Sequence, residues 1–416
     1  KGAEYYMKIL IIGDNPKVTG GVCNYTRPLL HELSKTNHEI SYLYSASRLK
    51  ADYRLFTKPK IERDLLWPDN FVYKLINSEN LDKNFDNLDL DSSSKINDHL
   101  FENFIKHHQP DVIHINEIIG FSSNTITIAK KYKIKVIVSI HEYWWLCPKR
   151  VMVDYNKKIC EGPSNLRKCS FCMHDEVKTY DSAKRKKSYL IRNQFPIVHK
   201  ILSSIKTNDS QKKQVSEIDD LSFSKTPIPQ KINEKLREQL NFRLESSIRN
   251  LNLCDAIIAV SNDVKLHLLK YGVAENIIQV QHIGSTIAEK NIVHTKKVDD
   301  KNITIGFIGG VSYYKGVHQL VNAFLNMPDK SILKANLKVF GGYNNQYLDS
   351  IKRNIIKDSK YIDRIKFFGR YQPNEIETIT NDVDIAVLPS LCADTAPQTI
   401  FESFSSGLPI IAPSVG

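Results

Sequence analysis

Two short apolar runs flank a predicted helix near the end of the chain. The segment begins with D-I-A-V-L-P (Asp384–Pro389), continues with D-T-A-P-Q-T-I-F-E (Asp394–Glu402) and ends with P-I-I-A (Pro409–Ala412). Continuous apolar runs of this length are typical of strands buried in a parallel sheet. Pro397 suits the first turn of a helix, where a missing N–H costs nothing. The segment therefore predicts the alternating strands and helices of an α/β fold.

Two carboxylates, Asp394 and Glu402, stand eight residues apart across the start of this helix. Asp394 or Thr395 can cap the helix, and the free N–H groups of its first turn favour phosphate. Glu402 lies more than a turn further along, where it can bond a sugar hydroxyl. The segment predicts a site for a hydroxyl-rich, anionic ligand. The alternative is a capped helix with one solvated glutamate.

The same alternation of apolar runs and helical patterns occurs in two separate series. The first series of predicted strands is Lys8–Ile12, Glu39–Tyr44, Asp111–Ile115, Lys135–Ile140 and Ala256–Val260. The second is Ile303–Ile308, Leu337–Phe340, Ile365–Phe368, Asp384–Pro389 and Pro409–Ala412. A chain of 416 residues is too long for one core. We predict two doubly wound domains, residues 7–284 and 303–416, joined by a polar linker at 285–302, with ligands bound where the strands end.

The composition and net charge of the chain indicate its compartment and the kind of partner it binds. No run of about 18 apolar residues is present, so no membrane-spanning helix is predicted. No secretory signal is visible, and the residues before Met7 are interpreted as a tag. Seven cysteines, an odd number, indicate a reducing, cytoplasmic compartment. A net charge of +12 favours anionic partners such as nucleotides, acidic lipid headgroups or nucleic acid.

A basic segment at 173–250 interrupts the strand pattern. It contains K-R-K-K at Lys184–Lys187 and prolines at Pro196, Pro227 and Pro229. We expect helices and loops inserted before the strand at Ala256. The insert is either a solvated surface or a contact for a membrane surface or an acceptor.

Three glycine-rich turns follow predicted strands. They are T-G-G-V (Thr19–Val22), G-G-V-S-Y-Y-K-G (Gly309–Gly316) and G-G-Y (Gly341–Tyr343). The first allows close backbone approach to a ligand, although it is not a dinucleotide-binding fingerprint. In the second, Lys315 precedes a helix and can meet a phosphate near backbone donors. The alternative is that Lys315 is a surface lysine.

Four cysteines form a separate signal in the loop at 147–172. Cys147, Cys160, Cys169 and Cys172 have twelve, eight and two residues between them. A C-x-x-C pair with two nearby thiols can supply a closed tetrahedral zinc site, and a metal would help to order a stretch that lacks a core of its own. Disulfides and four unlinked thiols are the alternatives. Cys23, Cys254 and Cys392 stand alone in the sequence and are expected to be core residues or incidental.

Several motifs, in this order and spacing, carry a resemblance to a known family. They are M-K-I-L-I-I-G with T-G-G-V, D-V-I-H-I-N, S-I-H-E-Y-W-W-L-C-P, D-A-I-I-A-V-S, G-F-I-G-G-V-S-Y-Y-K-G-V, D-V-D-I-A-V-L-P-S and D-T-A-P-Q-T-I-F-E-S-F-S-S-G-L-P-I-I-A. Over nearly its whole length the chain resembles family 4 retaining glycosyltransferases of the GT-B fold. That fold has two Rossmann-like doubly wound domains that face each other across a cleft.

The resemblance implies a role for each candidate site residue. Asp394 would sit by the donor sugar, Glu402 would bind the nucleotide ribose, and Lys315 would hold the diphosphate. His141 would lie close to sugar and acceptor, although a structural histidine is the alternative. The implied catalytic residues are His141, Asp394 and Lys315. The implied donor-binding residues are Gly20, Gly21, Gly309, Gly310, Lys315, Asp394, Thr395, Ala396, Pro397 and Glu402.

The chain departs from the family pattern at two positions and at its end. Asp394 replaces the usual glutamate and is one methylene shorter, which changes its reach. Gly310 stands where a basic residue is often found, so the diphosphate would depend more on Lys315 and helix N-termini. The chain ends at Gly416, before the last helices and strand that the family would add, which indicates a truncated second domain.

The resemblance implies transfer of a sugar from a nucleotide-sugar donor to a polysaccharide, glycolipid or other glycan, with retention of configuration. No aspartate-rich metal motif is present, so no metal is expected in catalysis, and any zinc would be structural. The acceptor is expected at the cytoplasmic face of an anionic membrane. One alternative is a zinc-containing nucleic-acid-binding protein, although no recognition helix or stacking motif is visible and no nucleic acid is expected. Another is a GT-B nucleotide-sugar epimerase.

Overall fold

The structure is a computed structural model with two compact units. It describes residues 6–16, 20–45, 54, 57–65, 71–163, 166–179, 184, 185, 187, 188, 191, 233–284, 302–343, 345–353 and 360–415. The first unit comprises the described residues within Lys1–Tyr155, Cys160–Ile205 and Pro227–Ile283, and the second those within Asn156–Ile159 and Gly284–Gly416. The predicted linker, 285–302, lies outside the described residues except for Asn302.

The first unit is built on an eight-stranded sheet. Its strands are β1 (Lys8–Gly13), β2 (Glu39–Ser45), β3 (Lys60–Arg63), β4 (Phe71–Ile76), β5 (Val112–Ile115), β6 (Lys135–Ile140), β7 (Ala256–Ala259) and β8 (Ile278–Val280). They lie in the order β3-β4-β2-β1-β5-β6-β7-β8. All neighbours are parallel except the pair β3 and β4. The carboxyl ends of β1, β5 and β6 are therefore side by side at one edge of the sheet.

Helices of the first unit connect these strands. They are α1 (Gly21–Leu33), α2 (Asp89–Ser92), α3 (Lys95–His108), α4 (Asn124–Lys131), α5 (Leu166–Thr179), α6 (Glu234–Leu251) and α7 (Asn262–Lys270). Side-chain caps mark where several of these helices begin. At the start of α3, for example, the Ser94 hydroxyl accepts a hydrogen bond from the Asn97 N–H. Helices α5 and α6 pack together through a buried cluster that includes Met173, Leu236 and Leu240. This cluster anchors the described ends of the basic insert.

The second unit has a five-stranded parallel sheet. Its strands are β9 (Ile303–Ile308), β10 (Ala335–Phe340), β11 (Ile365–Gly369), β12 (Ile385–Val387) and β13 (Ile410–Ile411), in the order β11-β10-β9-β12-β13. Its helices are α8 (Val317–Leu325), α9 (Asp329–Ile332), α10 (Asn345–Ile351), α11 (Ile376–Asn381) and α12 (Gln398–Ser405). Buried side chains form two clusters, one around Phe307 and Val321 and one around Ile308 and Val383. Loops after β9, β10 and β12 share the carboxyl edge.

All ten predicted strands are present, with bounds that differ by a few residues. Three further strands, β3, β4 and β8, were not predicted. β3 is an edge strand whose sequence, K-I-E-R, carries three charges, as edge strands often do to prevent further pairing. Its apolar signal is therefore too weak to recognise.

Candidate functional site

Three loops at the carboxyl edge of the second sheet bond to one another. The bonds run from Gly309 N–H to the Phe340 carbonyl (2.9 Å), from Val311 N–H to the Gly342 carbonyl (2.9 Å) and from Leu391 N–H to the Tyr314 carbonyl (2.7 Å). The glycine-rich turn after β9 is thus fixed against the loops that follow β10 and β12. Together these loops form one continuous surface where strands end, which is where α/β folds bind ligands.

Two glycines are required by this packing and a third is not. A Cβ on Gly316 would lie 1.9 Å from the Pro389 carbonyl oxygen, and a Cβ on Gly341 would lie 1.6 Å from that of Gly309. Both glycines also have positive φ, 70° and 147°. A Cβ on Gly310 would meet no protein atom within 4 Å. Gly310 therefore faces open space, where a ligand can approach the backbone.

Lys315 and Asp394 meet at this surface although 79 residues separate them. The Lys315 ammonium donates a hydrogen bond to Asp394 Oδ2. Lys315 lies in a 3-10 turn, Tyr313–Lys315, which leads directly into α8. Side-chain exposure is 30% for Lys315 and 17% for Asp394, so solvent screens the pair only in part. The structure thus brings together the two residues expected at the diphosphate and the sugar.

Helix α12 begins two or three residues later than the predicted caps, Thr395 or Asp394, would place it. Pro397 occupies the N-cap position, with Gln398 as the first helical residue, and proline has no side-chain acceptor. The predicted cap by Asp394 or Thr395 is wrong, because the backbone remains extended through Pro397 (φ −64°, ψ 116°). Instead the Thr399 hydroxyl donates to the Ile308 carbonyl (2.9 Å). That bond ties the first turn of α12 to the end of β9.

Ala396 and Glu402 complete the predicted set in this unit. Ala396 is half-buried in the loop before α12. Glu402 lies inside α12, half-buried, and burial raises the pKa of its carboxyl group to about 7. Burial, and to a smaller degree the charge of Glu402, raises the pKa of Tyr371, so the two side chains are close. Glu402 is therefore poorly hydrated when ionised, which favours a ligand that donates hydrogen bonds to it.

His141 lies at the carboxyl edge of the first sheet. It follows β6 directly, and the Tyr25 ring of α1 packs against its imidazole with 4.6 Å between ring centroids. Burial, with a smaller effect of His114, lowers the pKa of His141 to about 3. The imidazole is therefore neutral at physiological pH.

Gly20 and Gly21 stand at the start of α1, and a Cβ on either would meet nothing within 4 Å. Thr19 lies outside the described residues. Both glycines border open space at the carboxyl end of β1, where a ligand can approach the backbone.

Two buried polar residues, Asn116 and Ser390, were not predicted from the sequence as site residues. Asn116 directly follows β5 and is 4% exposed, yet neither atom of its amide has a hydrogen-bond partner among the described residues. Ser390 follows β12 and is 5% exposed, and its hydroxyl likewise lacks a partner in the described part of the chain. Buried polar groups without a hydrogen-bond partner are rare in folded proteins unless a ligand or a water molecule bonds to them. Their position just after a strand was the available signal.

The four clustered cysteines line one cavity of the first unit. Cys147, Cys160, Cys169 and Cys172 all border it, and all four are free thiols. Burial, then the charges of the other three, raises the pKa of Cys169 to about 12. Within the described residues, no group of three or more His, Cys, Asp or Glu side chains has an arrangement that could hold a metal ion. The other cysteines, Cys23, Cys254 and Cys392, are buried elsewhere.

Only part of the basic insert falls within the described residues. Lys184 and Lys187 are exposed, whereas the Arg185 guanidinium donates to the carbonyl oxygens of Asp82 (2.8 Å) and Lys83 (3.2 Å). The three prolines of the insert, Pro196, Pro227 and Pro229, lie outside those residues. No helix in the described ranges combines the length and the apolar character needed to cross a membrane.

The second unit matches a known family. Residues 289–416 match the family model described as glycosyl transferases group 1. This part of the chain is similar to group 1 glycosyl transferases. This confirms the expected family at the level of the group, while assignment to family 4 stays a prediction. No curated protein matches the sequence.

Solved glycosyltransferase structures share the fold. HepE from Anabaena, solved with UDP and glucose, is 14% identical with a TM-score of 0.53, covering 99% of this chain and 81% of that one. Sucrose-phosphate synthase from Thermosynechococcus elongatus is 13% identical with a TM-score of 0.56, covering 99% and 82%. A glycosyltransferase from Rickettsia africae is 14% identical with a TM-score of 0.53, covering 99% and 80%. The α/β fold expected for a GT-B enzyme is confirmed.

Proposed function

We propose that the chain transfers a sugar from a nucleoside diphosphate sugar to a glycan acceptor, with retention of anomeric configuration. The observation that carries the proposal is the pairing of Lys315 with Asp394 in loops at the carboxyl edge of the sheet, the edge that also holds the open backbone of Gly310. A cation, a carboxylate and exposed N–H groups at the end of a parallel sheet suit a ligand that combines diphosphate with sugar hydroxyls.

The diphosphate is the group that Lys315 would stabilise. When the glycosidic bond to the donor breaks, negative charge builds on the β-phosphate, and the ammonium would offset it. Backbone N–H groups of the glycine-rich turn and of the first turn of α12 would assist. The Lys315 ammonium donates a hydrogen bond to Asp394. A bound diphosphate would compete for this ammonium and leave Asp394 available to a sugar hydroxyl.

The nucleoside and the sugar would occupy the surface on either side of the diphosphate. Glu402 is assigned to the ribose hydroxyls, because hydrogen bonds from hydroxyl groups would stabilise its poorly hydrated carboxylate. Asp394 is assigned to the transferred sugar. The Ser390 hydroxyl, buried after β12, is a further candidate contact. Thr395, Ala396 and Pro397 would shape the backbone between the two carboxylates.

The acceptor is assigned to the first unit. His141 is neutral and stands at the carboxyl edge of the first sheet, the edge that also carries Gly20, Gly21 and Asn116. As the family resemblance implies, we propose that the acceptor hydroxyl attacks the sugar from the face that the leaving group vacates. The departing phosphate would accept the proton of the attacking hydroxyl. No catalytic metal is included in this mechanism.

We further propose that the acceptor is a polysaccharide, a glycolipid or another envelope glycan met at the cytoplasmic face of an anionic membrane. The net charge of +12 and the exposed Lys184 and Lys187 support this assignment. Each basic residue near an anionic surface contributes about 1 kcal/mol to attraction. The protein would then be peripheral and would need no spanning helix.

A donor screen tests the proposed activity. Full-length protein is incubated with a panel of nucleotide sugars, and release of nucleoside diphosphate is measured with and without candidate glycan acceptors. UDP sugars come first, because HepE was solved with UDP-glucose. We expect release from one donor class and a product whose new linkage keeps the donor configuration. Conversion of the donor into its epimer, without transfer, would instead identify an epimerase.

A further inference from the structure

One cavity of the first unit is bordered by four thiols that come from three segments of the chain. Cys147 follows β6, Cys160 lies in the next loop, and Cys169 and Cys172 are one turn apart on α5. All four border the same cavity, which has a volume of about 30 Å³. This volume exceeds the roughly 10–15 Å³ that a single water requires, so it can take one ion.

We infer that Cys147, Cys160, Cys169 and Cys172 together bind one structural Zn²⁺. Thiolates are the ligands that zinc prefers in structural sites, and four of them close its tetrahedral shell. Among the described residues no group of three or more His, Cys, Asp or Glu side chains already has the arrangement of a metal site, so binding would require the four sulfurs to move together. A Zn²⁺ ion would draw the sulfurs together, because it attracts each thiolate and favours four of them at tetrahedral positions.

The surroundings supply what bound thiolates require. The Tyr155 N–H donates to Cys172 Sγ (3.1 Å), and the Lys149 N–H donates to Cys147. N–H donors of this kind stabilise sulfur that carries negative charge. Lys149 and Lys168 place positive charge near the thiols. Four thiolates around a dication carry net negative charge, which the Lys149 ammonium offsets, whereas Lys168 contributes less because it also pairs with Asp154 (3.1 Å).

An apolar shell encloses the thiols on the remaining sides. The apolar lining residues include Met152, Val153, Leu166, Met173 and Leu240. Such a shell limits access of water and chelators to a bound ion. It also leaves little polar surface for an alternative ligand, so a thiophilic cation is the best-fitting occupant.

The inferred ion would cross-link the loop after β6 to α5. Cys147 is only six residues beyond His141, so the link would fix the chain that follows this histidine. The site would be structural, since four protein ligands leave no open coordination position. Its existence does not depend on the proposed transferase activity.

Metal content of the purified full-length protein tests the inference. We expect close to one equivalent of zinc per chain by elemental analysis, and loss of that zinc from both Cys169→Ser and Cys172→Ser. Cys254→Ser is the matched control: Cys254 is a buried cysteine whose Sγ donates to the Asn250 carbonyl, and it should keep its zinc. Replacement of zinc by Co²⁺ in the wild-type protein should give the intense visible absorption of tetrahedral thiolate coordination.

The wild-type measurements decide the inference even when a variant fails to fold. Zinc-free protein that gives no Co²⁺ spectrum overturns it. In that case, alkylation before and after reduction distinguishes the remaining states. Thiols that react only after reduction indicate disulfides, whereas four thiols that react at once in folded protein indicate unlinked cysteines. Either result contradicts a zinc site and leaves the transferase proposal intact.

Discussion

The ion pair of Lys315 and Asp394 links two residues that have different expected roles. Lys315→Ala should weaken binding of nucleoside diphosphate and reduce turnover by about 100- to 1000-fold, because one preorganised charge at the leaving group is lost. Asp394→Asn should lower turnover while nucleotide affinity is largely kept, since its proposed partner is the sugar. Calorimetric titration and steady-state kinetics measure the two effects.

A second lysine of the same unit provides the control for this prediction. Lys360 pairs with Asp329 at 2.8 Å on the exposed surface. Lys360→Ala should therefore change neither nucleotide affinity nor turnover. Wild-type nucleotide affinity in Lys315→Ala would refute its assignment to the diphosphate.

Burial of Glu402 predicts a pH dependence of stability. Its folded pKa, about 7, lies above the usual 4.5, so the folded protein binds this proton more tightly than the unfolded chain. The resulting contribution to the free energy of unfolding is complete below pH 4.5 and is lost as the pH rises through 7. The Glu402→Gln variant has no carboxyl group at this position. Its free energy of unfolding should therefore fall less than that of the wild type as the pH rises from 4.5 to 7.

Urea denaturation across that pH interval measures the effect. Glu377→Gln, at an exposed position of α11, serves as control and should keep the wild-type dependence. Identical pH profiles for wild type and Glu402→Gln would show that Glu402 is hydrated in the folded protein.

Replacement of Asn116 by alanine should reduce turnover while changing the free energy of unfolding only slightly. Replacing it with alanine removes packing but also relieves a buried amide without a described partner, so the two effects oppose each other. We expect the free energy of unfolding to change by less than about 1 kcal/mol, with turnover reduced. Asn97→Ala is the contrast, because the Asn97 amide donates to Ser78 Oγ and to the Gly120 carbonyl. It should cost about 1–3 kcal/mol.

Denaturation and turnover measurements on the two asparagine variants decide this prediction. A large loss of stability in Asn116→Ala with normal turnover of the folded fraction would make Asn116 a structural residue. The sequence could not identify this residue, because an asparagine after a strand looks the same whether its amide is satisfied or not.

At the scale of elements, the glycine-rich turn between β9 and α8 offers a matched pair of substitutions. Gly316→Ala should destabilise the second unit, because its Cβ would clash with the Pro389 carbonyl and its φ is positive. Gly310→Ala should leave stability close to wild type, since its Cβ meets no protein atom, but should weaken nucleotide binding by filling the approach to the backbone.

Thermal unfolding and nucleotide titration of both variants test this contrast. Full nucleotide affinity in a stable Gly310→Ala would place the ligand elsewhere on the loop surface. The sequence indicated a tight turn at the paired glycines. It could not tell which glycine is required by the fold and which borders open space, because that depends on contacts with the loop after β12.

The elements themselves were predicted unequally, for physical reasons. Central strands such as β6 and β9 are buried on both faces, so continuous apolar runs reveal them. The start of α12 was misplaced because Pro397 is compatible with both the N-cap and the first turn. β8, with only three residues, is too short for a pattern to be recognised. Burial from both sides, rather than strand propensity, made the fold predictable.

At the scale of the whole molecule, the excess of positive charge should bring the protein to anionic membranes. Flotation with vesicles that contain anionic lipid should show binding that decreases with salt, because screening weakens attraction between surface charges. Vesicles of neutral lipid should bind little.

The double variant Lys184→Glu and Lys187→Glu should bind less, since both side chains are exposed. Lys131→Glu with Lys360→Glu makes the same change of charge at exposed lysines outside the insert. If both double variants lose binding equally, net charge alone drives association, and a larger loss in the insert variant identifies the insert as the contact. Absence of binding to anionic vesicles even at low salt would refute the membrane proposal and favour a soluble glycan acceptor.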